Sequence, residues 1–214
     1  ILSGRDDGSQ TVSVEFMGFH QEFKGVSRVV VDLGEGNDKL DASRLLAPVT
    51  IEAKGGAGDD TILLGAGGGL VIDTDGNNTL TALATGTAPV ILVGGRGRDK
   101  LQGGLGNDIL YAGAGANEIN GGGGDDILYA LQGVNKLVGG AGVDTYVFTG
   151  SLGVNSVSEN GKEATHVDFS GSLSPELLGI VGPLPGAPTV SVPAAFSVVT
   201  GQSSRLTFAG TPFG

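Results

Sequence analysis

Residues Gly94 to Val147 read GGRGRDKLQ, GGLGNDILY, AGAGANEIN, GGGGDDILY, ALQGVNKLV and GGAGVDTYV, six nonapeptides without a gap. The fourth position is always glycine: Gly97, Gly106, Gly115, Gly124, Gly133 and Gly142. The sixth is Asp99, Asp108, Asn117, Asp126, Asn135 or Asp144. The eighth is apolar: Leu101, Ile109 or Leu110 according to phase, Ile119, Leu128, Leu137 and Tyr146. One copy is weak evidence. Six in register decide the fold, because a fixed short period makes each unit repeat one conformation and stack on its neighbours.

Each nonapeptide divides into about six turn residues and about three strand residues. Glycine permits positive φ and close backbone approach in the turns. Two nonapeptides complete a coil of 18 residues, and coils stack at the ~4.8 Å strand spacing. Alternate turns fall on opposite sides, and the eighth residue faces a narrow core between two sheets.

Upstream the coils lengthen. Leu33–Asp38 (LGEGND), Gly55–Asp60 (GGAGDD) and Asp73–Asn78 (DTDGNN) read as a first, a second and a degraded third turn. Gly36, Gly58, Gly76 and Gly97 are 22, 18 and 21 residues apart, which are coil lengths. Strands are expected at Val49–Ala53, Thr61–Leu64, Leu70–Asp73, Thr79–Ala82 and Val90–Val93. Thr11–Met17 alternates and Val29–Leu33 is strand-like, which suits first coils or an N-terminal cap.

The repeat G-G-x-G-x-D-x-U-x resembles the RTX (repeats-in-toxin) family. The resemblance implies an all-β, right-handed parallel β-roll holding several Ca²⁺ ions between stacked turns. It further implies type I secretion from a bacterium. Carbonyl oxygens and the sixth-position carboxylate can surround Ca²⁺ at ~2.3–2.6 Å. The candidate ligands are Gly34, Gly36 and Asp38, then Gly55, Ala57, Gly58 and Asp60, with Asp75 helping in the third turn. They continue with Gly94, Arg96, Gly97 and Asp99, then Gly103, Gly104, Leu105, Gly106 and Asp108. The last two sets are Gly121, Gly122, Gly123, Gly124 and Asp126, and Gly139, Gly140, Ala141, Gly142 and Asp144.

The two sides differ. One carries Asp108, Asp126 and Asp144; the other carries Asp38, Asp60, Asn78, Asp99, Asn117 and Asn135. Two carboxylates neutralise Ca²⁺, whereas two amides leave the charge short. Ions are therefore expected at Asp108/Asp126, Asp126/Asp144 and Asp38/Asp60, with Asp60/Asn78 and Asn78/Asp99 plausible. At Asp99/Asn117 and Asn117/Asn135 a stacked Asn ladder is the alternative to an ion.

Composition agrees. Glycine is 41 of 214 residues with only 8 Pro, and the apolar fraction of 39% is too high for a linker. A net charge of −11 argues against nucleic acid as partner. No cysteine is present and His20 and His166 are far apart, so disulfides, thiol chemistry and zinc are not expected. No apolar run reaches membrane-spanning length, so no membrane insertion is expected.

The expected organisation is 1–32 N-terminal coils or cap, 33–158 calcium-binding roll, 159–182 C-terminal cap, and 183–214 a linker and the start of an immunoglobulin-like β domain. Gly150–Ser158 keeps one imperfect copy with Asn155 in the Asp position. Val167–Gly171 resembles a closing segment, Ser174–Gly179 reads as one helical turn, and Pro183–Pro188 as a linker. Thr189–Phe208 alternates like opening sandwich strands.

Other chemistry is weaker. Asp59/Asp60 and Asp125/Asp126 are adjacent acids in a repeat, one read as a ligand and one as a solvated neighbour. Arg96, Arg98 and Lys100 form a basic cluster on one strand, and Tyr111 and Tyr129 should stack. No catalytic residue is assigned. The expected role is a structural, spacer or assembly module of a secreted bacterial surface protein such as an adhesin, surface-layer or fibril component. Neighbouring subunits or a cell-surface polysaccharide are candidate partners. The alternative is the accessory repeat region of a type I-secreted protease, lipase, epimerase or lyase. The chain reads as a segment of a longer protein.

Overall fold

The structure, a computed structural model, describes residues 2–4, 11–16, 19–150, 154–158, 165–172, 196–199 and 206–209. Among these residues it is all strand and turn: a parallel β-solenoid of about 7 coils. Two sheets stack along its length. The first has nine strands: Arg28–Glu35, Thr50–Ala57, Gly69–Ile72, Val90–Val93, Ile109–Tyr111, Ile127–Ala130, Thr145–Gly150, Thr165–Ser172 and Leu206–Ala209. The second has eight: Lys39–Asp41, Thr61–Leu63, Thr79–Thr81, Lys100–Gln102, Glu118–Gly123, Val134–Ala141, Val154–Ser158 and Phe196–Val199.

The nonapeptide sets the register. Ile109, Leu110 and Tyr111 pair with Ile127, Leu128 and Tyr129, one coil of 18 residues later. Leu101 pairs with Ile119, and Ile119 with Leu137, on the other sheet. These eighth-position side chains are the core: Leu101, Leu110, Ile119, Leu128, Leu137 and Tyr146 are all buried. Leu110, not Ile109, is the inward residue of its strand. Strand side chains alternate between faces, so one buried position per three-residue strand is what a thin two-sheet core requires.

Upstream, Ile51, Ala53, Ile62, Leu64, Val71, Leu80, Val90 and Leu92 continue the same core. Thr50–Ala57 runs beyond its expected end into the turn, because Gly34 and Glu35 pair with Gly56 and Ala57. Val29–Leu33 belongs to the first coil strand, Arg28–Glu35. Leu2–Gly4, Val12–Phe16 and Phe19–Phe23 form a separate antiparallel sheet, with Val12 buried in the roll's core cluster.

At the other end, Thr165–Ser172 is a strand paired with Thr145–Gly150. Phe196–Val199 and Leu206–Ala209 differ from the expected immunoglobulin-like start. They pair parallel with Asn155–Ser158 and Thr165–Asp168 and extend the two sheets of the roll. Alternation alone does not separate a sandwich strand from a solenoid strand, since both hide every second residue. The expected helical turn Ser174–Gly179 and linker Pro183–Pro188 lie outside the described residues.

Candidate calcium sites in two rows of turns

Register places the sixth-position residues in two straight rows. In the first, the N–H of Asp38 donates to Oδ1 of Asp60 (2.8 Å), that of Asp60 to Asn78 (2.8 Å), that of Asn78 to Asp99 (2.8 Å) and that of Asp99 to Asn117 (2.9 Å). In the second, Val90 donates to Asp108 (2.8 Å), Asp108 to Asp126 (2.7 Å) and Asp126 to Asp144 (3.0 Å). Every one of these side chains reaches back to the preceding coil.

That bond uses one oxygen of Asp60, Asp99 and Asp126, while Oδ1 of Asp73 accepts the N–H of its neighbour Thr74. The second, Oδ2, is buried without a hydrogen-bond partner in Asp38, Asp60, Asp73, Asp99 and Asp126. Buried polar atoms are normally satisfied, so repeated orphans on one side-chain type point to a missing electrophile. Asp108 differs, for its Oδ2 accepts the N–H of Gly104 at 2.7 Å.

The first glycine of each turn leaves space in front of the carboxylate. A Cβ on Gly55 would lie 2.6 Å from Asp60 Oδ2, and one on Gly94 2.8 Å from Asp99 Oδ2. A Cβ on Gly103 or Gly121 would overlap Asp108 or Asp126. In the degraded third turn this first position is Asp73, whose Oδ2 lies beside Gly55 near that of Asp60. Asp73 was not singled out from sequence; the buried acid of its turn is Asp73, while Asp75 is exposed. The cue was an acid in the first-glycine position of the repeat.

Without a cation these carboxyls resist ionisation. Burial pushes Asp126 up to about 8, helped by the charges of Asp108, Asp144 and Asp125 and opposed by the Asp108 N–H. Burial likewise raises Asp99 to about 6. Asp73 rises to about 6 through burial and the Asp60 charge. Asp108 is also raised by burial, against the N–H groups of Val90 and Gly104.

The donor set suits Ca²⁺. No group of three or more His, Cys, Asp or Glu side chains converges among the described residues. A site here must combine one or two carboxylates with backbone carbonyls, a hard oxygen set. The Ala57, Asp75 and Arg96 carbonyls each accept one amide, from Gly36, Gly58 and Gly76, and Gly97 and Gly104 accept from Ala116 and Gly123. Each such oxygen retains a second lone pair.

Farther along the first row the chemistry changes. Asn117 Nδ2 donates to Asn135 Oδ1 at 3.0 Å, and Asn135 Nδ2 to Asn155 Oδ1 at 2.7 Å. Amide meets amide, and the imperfect copy at Asn155 continues the ladder.

A second ladder runs outside the first. Asp59 donates its N–H to Asn37 Oδ1, Asn77 to Asp59, and Arg98 to Asn77, at 2.9, 2.8 and 3.0 Å. On the other side Asp125 donates to Asn107 and Val143 to Asp125, at 2.9 and 2.8 Å. These fifth-position side chains reach to the following coil, opposite to the inner row. Asp59 and Asp125 are exposed, as expected, but they are structural acceptors and not merely solvated neighbours.

The basic cluster does not share one strand. Arg96 pairs with Ala114 within the turn, Arg98 is in a bend, and Lys100 opens a second-sheet strand; all three are exposed. Tyr111 and Tyr129 stack with centroids 4.3 Å apart.

Residues 53–71, 91–119 and 111–146 match the sequence profile of the RTX calcium-binding nonapeptide repeat, in four copies. No curated protein and no solved structure matches the chain. RTX repeats bind several calcium ions along their length, and proteins that carry them are typically secreted. No helix among the described residues is long and apolar enough to cross a membrane. The matched repeats, the parallel roll and the orphaned carboxylates agree, and residues 53–71 and 91–146 of this chain are RTX calcium-binding repeats.

Proposed function

We propose that the chain is a calcium-rigidified structural module of an extracellular bacterial surface protein, without catalytic activity of its own. The observation that carries the reading is the file of buried Oδ2 atoms on Asp38, Asp60, Asp73, Asp99 and Asp126. Such a file destabilises the fold in the absence of a cation and is neutralised by one. Asp126, Asp144 and the carbonyls of Gly121–Gly124 and Gly139–Gly142 would hold ions on the second row. Asp38, Asp60 and Asp73 would hold them on the first, while the Asn117–Asn135–Asn155 ladder bonds to itself. Bound Ca²⁺ supplies charge neutralisation and cross-links successive coils.

Folding then follows calcium. Cytosolic calcium is too low for sites of extracellular type, and millimolar calcium outside the cell fills them. A chain kept loose during export and locked after it suits type I secretion and a rigid spacer.

Two measurements test this. Equilibrium dialysis should find several calcium ions per chain. Incubation with alginate or pectate should leave the polymer intact; cleavage or epimerisation abolished by an Arg96→Ala, Arg98→Ala variant would overturn the non-catalytic reading.

A further inference from the structure

Asp73 stands where the repeat has its first glycine, and register stacks it on Gly55. Lys54 pairs with Ile72 and Ala57 with Asp75, one coil of 18 residues later. The Asp73 side chain turns back onto that earlier coil. Its Oδ1 accepts the N–H of Thr74 at 2.7 Å, and the Thr74 hydroxyl donates to the Gly56 carbonyl at 2.6 Å, which fastens the two turns together. A Cβ on Gly55 would overlap Asp73 Oδ2 and lie 2.6 Å from Asp60 Oδ2. Both oxygens therefore border one small space, open because Gly55 has no side chain. Asp60 and Asp73 are each 1% exposed, and neither Oδ2 has a hydrogen-bond partner. Among the described residues no basic side chain pairs with either.

Asn78, the sixth-position residue of the same turn, brings no charge. Both its polar atoms are spent on the protein. Oδ1 accepts the Asp60 N–H at 2.8 Å, and Nδ2 donates to the Gly94 carbonyl at 3.3 Å. In the next turn of the row a single acid serves two purposes: Asp99 Oδ1 accepts the Asn78 N–H, and Asp99 Oδ2 is left buried and unpartnered. In the turn of Asp73 the purposes are divided. The stacking acceptor stays at the sixth position, and the carboxylate has moved to the first.

We propose that Asp73 supplies the charge that Asn78 lacks, and that Asp60 and Asp73 together hold one Ca²⁺ between their coils. The inference rests on the calcium reading and deepens it, by assigning one ion to a ligand that the repeat pattern does not contain. Two buried carboxylates facing one space repel each other and have lost their water. A hard divalent cation matches their combined charge. A proton shared between them would also relieve the repulsion, and counting calcium tells the two apart.

The test measures calcium binding to the whole chain by isothermal titration and equilibrium dialysis at neutral pH. Circular dichroism in saturating calcium confirms the fold of each variant. Asp73→Asn keeps the size and the Oδ1 acceptor; it should bind one ion fewer, or bind that ion about tenfold or more weakly, as the ligand charge count falls. Asp73→Gly should lose the same ion even though it restores the repeat's own residue. Adding Asn78→Asp to Asp73→Gly should return it, because the charge comes back at the sixth position. Asp75→Asn, in the same turn but exposed, should leave the count unchanged. A parent chain that binds no calcium would overturn the calcium reading and this proposal together. A parent that binds several ions, with Asp73→Asn and Asp73→Gly binding as many and as tightly, would overturn this proposal alone and leave Asp60 and Asp73 as an acid pair sharing a proton. So would loss of the ion in Asp75→Asn but not in Asp73→Asn.

Discussion

The backbone N–H of Asp108 donates to Oδ1 of Asp126, one coil later, at 2.7 Å, and the other oxygen of Asp126 is buried with no hydrogen-bond partner. One side chain thus has two duties. Oδ1 sets the stacking of coils, and Oδ2 is left for a cation. Substitutions can separate the two.

Asp126→Asn keeps the Oδ1 acceptor and removes the charge. Without calcium it should stabilise the roll at neutral pH, because the neutral amide avoids the protonation that burial forces on Asp126. With calcium it should lower the number of bound ions and the stability. Asn135→Asp should do the reverse, by placing a charge in an amide ladder. Thermal unfolding of both variants with and without chelator checks the sign change.

The pH dependence without calcium follows from the raised carboxyls. Asp126 near 8, and Asp99 and Asp73 near 6, hold protons in the folded chain that the unfolded chain has already lost. Stability should therefore fall as pH rises from about 4 to about 8. Calcium binding needs the ionised forms, so its affinity should rise over the same interval. Denaturant melts in chelator at several pH values would show the first; stability increasing with pH there would contradict it.

Gly97 has φ of +129°, and a Cβ there would overlap the carbonyl of Gly76. Gly97→Ala should cost about 2–4 kcal/mol from the unfavourable φ and the overlap together. Gly25 has φ of +68° with nothing within 4 Å, so Gly25→Ala should cost only about 1–2 kcal/mol. Urea midpoints of the calcium-loaded proteins compare them.

The outer ladder separates structure from metal. Asp125→Ala removes the acceptor of the Val143 N–H and should cost about 0.5–1.5 kcal/mol, leaving the count of bound calcium unchanged. Asp125→Asn retains the acceptor and should be near neutral. Isothermal titration together with melting curves distinguishes the two effects.

The roll was legible because its period is rigid. Gly97, Gly106, Gly115, Gly124, Gly133 and Gly142 mark turns in fixed register, and Leu101 through Tyr146 mark the core. The two rows of sixth-position residues, and the change from acid to amide at Asn117, followed from the same count. Asp73 escaped because it occupies a glycine position, so the repeat pattern hid it as a defect. Asp59 and Asp125 read as solvated because sequence does not show that an exposed Oδ1 reaches an amide 18 residues away. Residues 196–199 and 206–209 alternate as a sandwich strand would, and only their parallel pairing separates the two.

The central claim is that calcium holds the coils together through these buried carboxylates. Far-UV circular dichroism of the chain, recorded in millimolar calcium and again after chelation at neutral pH, tests it most directly. At ~100 times Kd each filled site adds ~2.7 kcal/mol, so removing several should abolish most of the β signal, and restoring calcium should return it. A β spectrum and melting temperature unchanged by the chelator would contradict the account.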